Sequence, residues 1–215
     1  MITKMPKWSS YMATTIQPIF TPQQCEMVIQ AGHKQKPETA QVGMNKPGGG
    51  VDTKKRTTTI SWIPFKEMPE MYSQVEATMQ STNLNHFGFE NMRITEPAQF
   101  TEYPKGGFYD WHMDLDVNGA FEPPVRKISM TILLSDPSTF KGGELEFMEK
   151  NKIPDLKQGQ AIFFASFIRH RVAPVKKGMR RSLVMWFGGT PFTVSYTHLR
   201  AHETPEHLVC RLLLE

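Results

Sequence analysis

A mainly β fold with packing helices, a sandwich or jelly roll, is what this 215-residue sequence predicts. Two observations carry the expectation. From Met92 onward the chain is a series of β-type runs: MRITEPAQFTEY, RKISMTILLS, GELEFM, QAIFFAS, RHRVAPV and RRSLVMWFGG. Gly, Pro and Asp punctuate them, and no helical period intervenes. Ahead of them stand two segments with helical signals. Many short strands without helices between them favour packed antiparallel layers over a parallel sheet.

Taken in order, IQPIF reads as a short strand. TPQQCEMVIQAGHKQ then starts a helix, with Thr21 as N-cap and Pro22 at the first helical position, where a missing N–H costs nothing. KPGGGVDTKK, Lys46 to Lys55, reads as a flexible basic loop, and it lacks the Gly-Lys-Ser/Thr ending of a phosphate loop. RTTTISWIPF is rich in β-branched residues and reads as a strand. EMPEMYSQVEATMQSTNL spaces Met71, Val75, Met79 and Leu84 as one helix face, with core packing the favoured role. No internal repeat is visible. The expected organisation is one domain over residues 1–193, with helical and strand support over about 1–91 and a β core over about 92–190.

The last 22 residues fit none of this. VSYTHLRAHETPEHLVCRLLLE, Val194 to Glu215, is out of place after the strand-like RRSLVMWFGG. Val194 to Leu199 and Leu208 to Glu215 resemble the translated constant parts of a sequencing adapter, so 194–215 reads as a non-native tail. Such segments are left out of fold reasoning. The alternative is a C-terminal helix carrying His198, His202 and His207. Without the tail the chain holds 23 basic and 18 acidic residues, a formal charge of +5. That modest excess permits an anionic small molecule and does not by itself imply nucleic acid. Only Cys25 then remains, so no intrachain disulfide is expected, in line with a reducing compartment. MITKMPKWSSYMATTIQPIF lacks a signal-peptide core, and no run approaches a membrane span. A soluble cytoplasmic protein is the expectation.

The chemistry centres on YDWHMDLD. Residues two apart on a strand point to one face, so His112 and Asp114 could reach one ion. Alone, His-x-Asp is a weak motif. Of the remaining histidines, His33 falls in the first helix and His86 in a helix-to-strand loop. His170 starts the RHRVAPV strand, which a jelly roll can place beside His112. Two His and one carboxylate form the facial triad of non-haem Fe(II) oxygenases, which leaves open positions on the metal. A single His at a strand start is, more ordinarily, satisfied or solvent-exposed. Further on, Arg180, Ser182, Val184 and Trp186 share a strand face, and Arg181 faces outward as a solvated charge. An inward Arg is costly unless it meets an anion, and a guanidinium with a hydroxyl two residues on suits a carboxylate. The alternative is a charged turn, KKGMRRS. The combination fits a cosubstrate that chelates a metal at one end and shows a carboxylate at the other.

YPKGGFYDWHMD, RKISMTILLSDPSTFKGGELEF, GQAIFFAS and HRVAPVKKGMRRSLVMW, in that order, resemble the prolyl/lysyl-hydroxylase-type 2-oxoglutarate/Fe(II) dioxygenases, as does RTTTISW. The resemblance implies a double-stranded β-helix, a distorted jelly roll backed by helices. It implies His112, Asp114 and His170 as catalytic Fe(II) ligands. It also implies Arg180 as the partner of the 2-oxoglutarate C5 carboxylate, Ser182 as a second donor to it, and Tyr103 as a cosubstrate contact. Tyr103 could equally be a core aromatic. One departure stands out: some prolyl hydroxylases place a tyrosine where Leu133 stands. Gly142 and Gly143 read as turn residues. The implied reaction is hydroxylation of an unactivated C–H, proline in a peptide or protein first, with O2 consumed, succinate and CO2 released, and ascorbate as a fitting reductant. The Lys46–Lys55 loop could then be a lid. Two other readings stay open: a nucleobase demethylase, disfavoured because Trp186 stands where a second Arg is usual there, and a non-catalytic metal-binding cupin-like module.

Overall fold

The computed structural model describes residues 11–39, 56–115, 124–148 and 155–190. The Lys46–Lys55 loop and residues 194–215 lie outside the described residues. The first half runs β1 (Met12–Thr14), α1 (Pro22–His33), β2 (Glu38–Thr39), β3 (Arg56–Thr57), β4 (Thr59–Ile63), α2 (Pro69–Thr82) and β5 (Arg93–Ile94). Then follow β6 (Ala98–Tyr103), β7 (Phe108–His112), β8 (Val125–Leu133), β9 (Lys141–Gly142), β10 (Leu145–Phe147), β11 (Ala161–Ala165), β12 (His170–Val172), β13 (Val175–Lys177) and β14 (Arg180–Gly189).

Two antiparallel sheets carry the architecture. The larger has the order β1-β11-β8-β14-β6-β4-β2, with β5 on β14; the smaller has the order β10-β12-β7-β3. Strand alternation gives the larger sheet two unlike faces. Phe100, Met130, Ile132, Phe163, Leu183, Met185 and Phe187 meet the helices, with Cys25 and Val28 of α1 and Met71, Val75 and Met79 of α2 in one buried cluster. The opposite face turns toward the smaller sheet. There Phe147 packs on Ile162 and Phe164, and Tyr103 packs on Val172 and Val175. Between those two apolar plugs the inner face is polar, with Gln99, Thr101, Ser129, Thr131, Arg180 and Ser182 all buried.

Local chemistry explains the elements. Thr21 and Gln24 form a reciprocal capping box at the start of α1, with Pro22 inside it. Gly32 lets α1 lie flat on β6, since a Cβ there would fall 2.4 Å from the Phe100 ring. RTTTISWIPF is two strands rather than one: β3 joins the smaller sheet and β4 the larger, with the switch at Thr58. IQPIF is not a strand. Met12–Thr14 takes the edge of β11 instead, and the Ile19 N–H bonds to the Gly159 carbonyl. Leu84 is 78 % exposed, unlike Met71, Val75 and Met79. A π-turn over Asn83–Phe87 breaks the helical period before it and buries Phe87 in its place. Among the described residues, no helix is long and apolar enough to cross a membrane.

Candidate active site

β7, β12 and the segments just past them bring His112, Asp114 and His170 together. One donor atom from each lies within 4.8 Å of the other two. His112 Nε2 stands 3.5 Å from Asp114 Oδ1, and His170 Nε2 stands 3.6 Å from Asp114 Oδ2. The route to this geometry differs from simple strand alternation. β7 ends at His112, and Asp114 lies beyond it, with the backbone N–H groups of Asp114 and Leu115 both donating to the Ser166 carbonyl. Within β7, His112 pairs with His170 and Tyr109 with Val172, so the ladder shifts register between them. That bulge turns Tyr109 and His112 to the same side, although they are three residues apart. Their rings stack at 3.5 Å.

Both imidazoles are fixed through Nδ1. His112 Nδ1 donates to the Asp110 carbonyl at 2.8 Å and His170 Nδ1 to the Ile168 carbonyl at 3.0 Å. A carbonyl only accepts, so Nδ1 carries a proton in each ring and Nε2 is the nitrogen turned to the common point. Burial pushes the His170 imidazole down to about 4, against the opposing pull of Asp114. It is therefore neutral, the form that binds metal, at ordinary pH. Burial alone would raise the Asp114 carboxyl. The His170 and His112 rings and a bond from Ser129 outweigh it and hold the group well below the usual carboxylate range.

Arg180 opens β14 on the same inner face and is 3 % exposed. Its Nη1 donates to Ser182 Oγ at 3.0 Å, and its guanidinium lies over the Tyr103 ring at 5.5 Å. Among the described residues no carboxylate forms an ion pair with it. Ser182 Oγ is also 2.6 Å from Thr101 Oγ1. Leu133, in register with Ser182 on β8, keeps an apolar side chain beside that pair. Arg181 is not a free surface charge. Its Nε bonds Glu102 at 2.7 Å, and Glu102 also meets His33.

A sequence profile of the 2OG-Fe(II) oxygenase superfamily matches residues 98–188, the span that holds His112, Asp114, His170, Arg180, Ser182 and Tyr103. Residues 98–188 are thus similar to a 2OG-Fe(II) oxygenase domain. Curated relatives of that domain include PKHD-type hydroxylases of Shewanella sp. (strain ANA-3), 32 % identical over 93 residues, and Rippkaea orientalis, 36 % identical over 89 residues. The matched segments cover 42 % and 40 % of this chain and the same shares of those proteins, so the chain spans less than half of their length. Among solved structures, the viral collagen prolyl hydroxylase of Paramecium Bursaria Chlorella virus-1 aligns at TM-score 0.66 and 22 % identity. It covers 85 % of this chain and 98 % of its own. A Pseudomonas putida prolyl-4-hydroxylase aligns at TM-score 0.60 and 17 % identity, over 84 % and 94 %. These likenesses show the fold, the double-stranded β-helix.

The matched superfamily implies Fe(II), 2-oxoglutarate and O2, and the donor set fits that metal. Two imidazoles and one ionised carboxylate converge, with the other nitrogen of each ring already engaged. The domain also contains polar groups that motif reading passed over. Arg56 on β3 is 7 % exposed, donates to Gln99 at 3.1 Å and covers the Tyr109 ring at 4.3 Å. Arg126 lies 4.0 Å over the Trp186 ring and pairs with Glu96 at 2.6 Å. Among the described residues, Arg56 Nε and Trp186 Nε1 are the buried side-chain donors that lack a partner. One signal was available: polar residues at alternate positions of otherwise apolar strands, as in Gln99-x-Thr101 and Ser129-x-Thr131.

Proposed function

We propose that this chain is a 2-oxoglutarate- and Fe(II)-dependent hydroxylase of peptidyl residues, proline first. It would convert a C–H to C–OH while 2-oxoglutarate and O2 become succinate and CO2. His112, Asp114 and His170 would hold the metal, and bound Fe(II) supplies the O2 activation that couples decarboxylation to hydroxylation. Arg180 would anchor the C5 carboxylate, with Tyr103 as the wall beneath the guanidinium. Ser182 would serve as the second donor: its oxygen accepts from Arg180 Nη1, which helps aim the fork, and its own O–H can turn to Thr101 Oγ1 or to the carboxylate. The observation that carries the reading is Arg180, buried on the inner face of the larger sheet, which turns toward the strands that hold the three donors, with no ion pair to it among the described residues. A buried guanidinium without an anion is costly, and a dicarboxylate relieves that cost.

The peptide part of the proposal is supported by the hydroxylase names of the relatives. Residues 1–193 are read as one catalytic unit and 194–215 as foreign to it. The test is succinate release and a 16 Da mass gain on proline-rich peptides, using wild type, Asp114→Ala and a chain ending at Thr193. We expect turnover in the first and third and none in Asp114→Ala. Turnover on a free amino acid with no gain on any peptide would overturn the substrate, and full activity in Asp114→Ala would overturn the metal assignment.

A further inference from the structure

We propose that Gly143 is a positioning residue for Arg180, because its missing side chain leaves the space that fixes the guanidinium's direction. The inference rests on the reading of Arg180 as carboxylate anchor and adds what holds that anchor in place. Gly142 and Gly143 both have positive φ, +77° and +71°. A left-handed turn alone does not require glycine, since Asn91 adopts φ 55° in the same chain. Contacts separate the two positions. A Cβ on Gly142 would meet backbone, the Pro174 carbonyl oxygen at 2.5 Å and the Lys176 nitrogen at 2.8 Å, so that glycine serves the β9–β13 pairing. A Cβ on Gly143 would meet side chains, Arg180 Cδ at 2.8 Å and Val175 Cγ2 at 2.9 Å.

Carbon atoms prefer roughly 3.5–4.0 Å, so a methyl at position 143 intrudes by about 1 Å. Val175 is 1 % exposed and locked in the plug with Tyr103 and Val172. The Arg180 stem is the member with torsions to spare. When Cδ moves, the bond from Nη1 to Ser182 and the seat over Tyr103 move with it. A fork that depends on direction for two parallel bonds then misses its carboxylate.

Gly143→Ala and Gly143→Asn test this, the second because Asn tolerates positive φ. Gly106→Ala is the control. Gly106 has φ +82° and nothing within 4 Å of a built Cβ, so it carries backbone strain without a contact. Two readouts apply: the dissociation constant for 2-oxoglutarate in Mn(II)-loaded protein by calorimetry, and the Arg180 Nε–H resonance of the metal-free protein by NMR. Both Gly143 variants should weaken binding by roughly tenfold or more, about 1.4 kcal/mol, and displace that resonance. Gly106→Ala should lower the melting temperature yet bind within about twofold of wild type. In an Arg180→Ala background, Gly143→Ala should add less than about a further twofold, because the atom it strikes is gone. Wild-type binding in both Gly143 variants, or a tenfold loss that persists without Arg180, overturns the proposal. If Arg180→Ala itself binds like wild type, the cosubstrate reading fails, and the Nε–H resonance alone decides whether Gly143 sets the arginine.

Discussion

Tyr72→Phe should destabilise the protein strongly while sparing its cosubstrate binding. Tyr72 projects from α2 into the core and is 5 % exposed. Its hydroxyl donates to the Ile63 carbonyl and accepts from the Ala98 N–H at 2.7 Å. Ile63 and Ala98 are register partners at one end of the β4–β6 ladder, and both are fully buried. Removing one oxygen therefore strands a buried donor and a buried acceptor together, with no water to replace them. Each such group costs about 1–3 kcal/mol, so a total of about 2–6 kcal/mol is expected. At about 2–4 °C per kcal/mol for a chain of this size, the melting temperature should fall by about 4–24 °C. Scanning calorimetry measures the fall, and 2-oxoglutarate titration at a temperature well below it should give a near-wild-type constant. A shift under about 2 °C would show that the bridge does not hold the ladder end. A large loss of affinity in the folded variant would show that α2 does more than support β6.

Arg180→Ala should raise the 2-oxoglutarate requirement at least about thirtyfold, since a buried charge-assisted pair is worth about 2–5 kcal/mol; an unchanged KM in a steady-state assay would refute the anchor. Cys25 is fully buried and its thiol is pushed up to about 11 by that burial. Thiolate is then scarce at pH 8, and a thiol reagent should label Cys25, followed by peptide mass spectrometry, only as fast as the chain unfolds. A raised acid contributes stability that is complete below the unfolded value near 9 and fades as pH climbs toward 11. Glu102 shifts the other way. Burial opposes its ionisation, but bonds from His33 and Arg181 win and lower it. Its contribution is present above the ordinary carboxylate range and lost as pH falls, so Glu102→Gln should flatten the acid side of a melting-temperature profile; an unaltered profile would discount the cluster.

Legibility in the sequence followed the range of the physics. The Thr21–Gln24 cap and the alternation of Arg180, Ser182 and Trp186 along β14 are decided within a few residues, and they read directly from the chain. The meeting of His112 and His170 needed only adjacent strands, which a jelly roll supplies. What the sequence concealed was set by partners far along the chain. Asp114 leaves the strand because Ser166 captures its backbone, and the bulge before His112 exists because β12 sets the register. The division of RTTTISWIPF at Thr58 answers to two different sheets. Leu84 escaped because a π-turn shifts the phase of a helix without altering its composition. Arg181 was misread as solvated, since Glu102 lies 79 residues away in sequence and only the β6–β14 pairing brings them together.

The carbonyl of Ser166 joins the two halves of the donor cluster, and each histidine is locked by a carbonyl two residues behind it. Those bonds are made by the backbone and not by a cation. The emptied protein should keep its ring positions and lose only the melting temperature that bound metal adds by mass action, so that loading and unloading iron resembles filling a socket more than folding a finger around a bead. A chelated sample could then be recharged within the time of mixing, and scarcity of the metal would silence the molecule without condemning it to degradation.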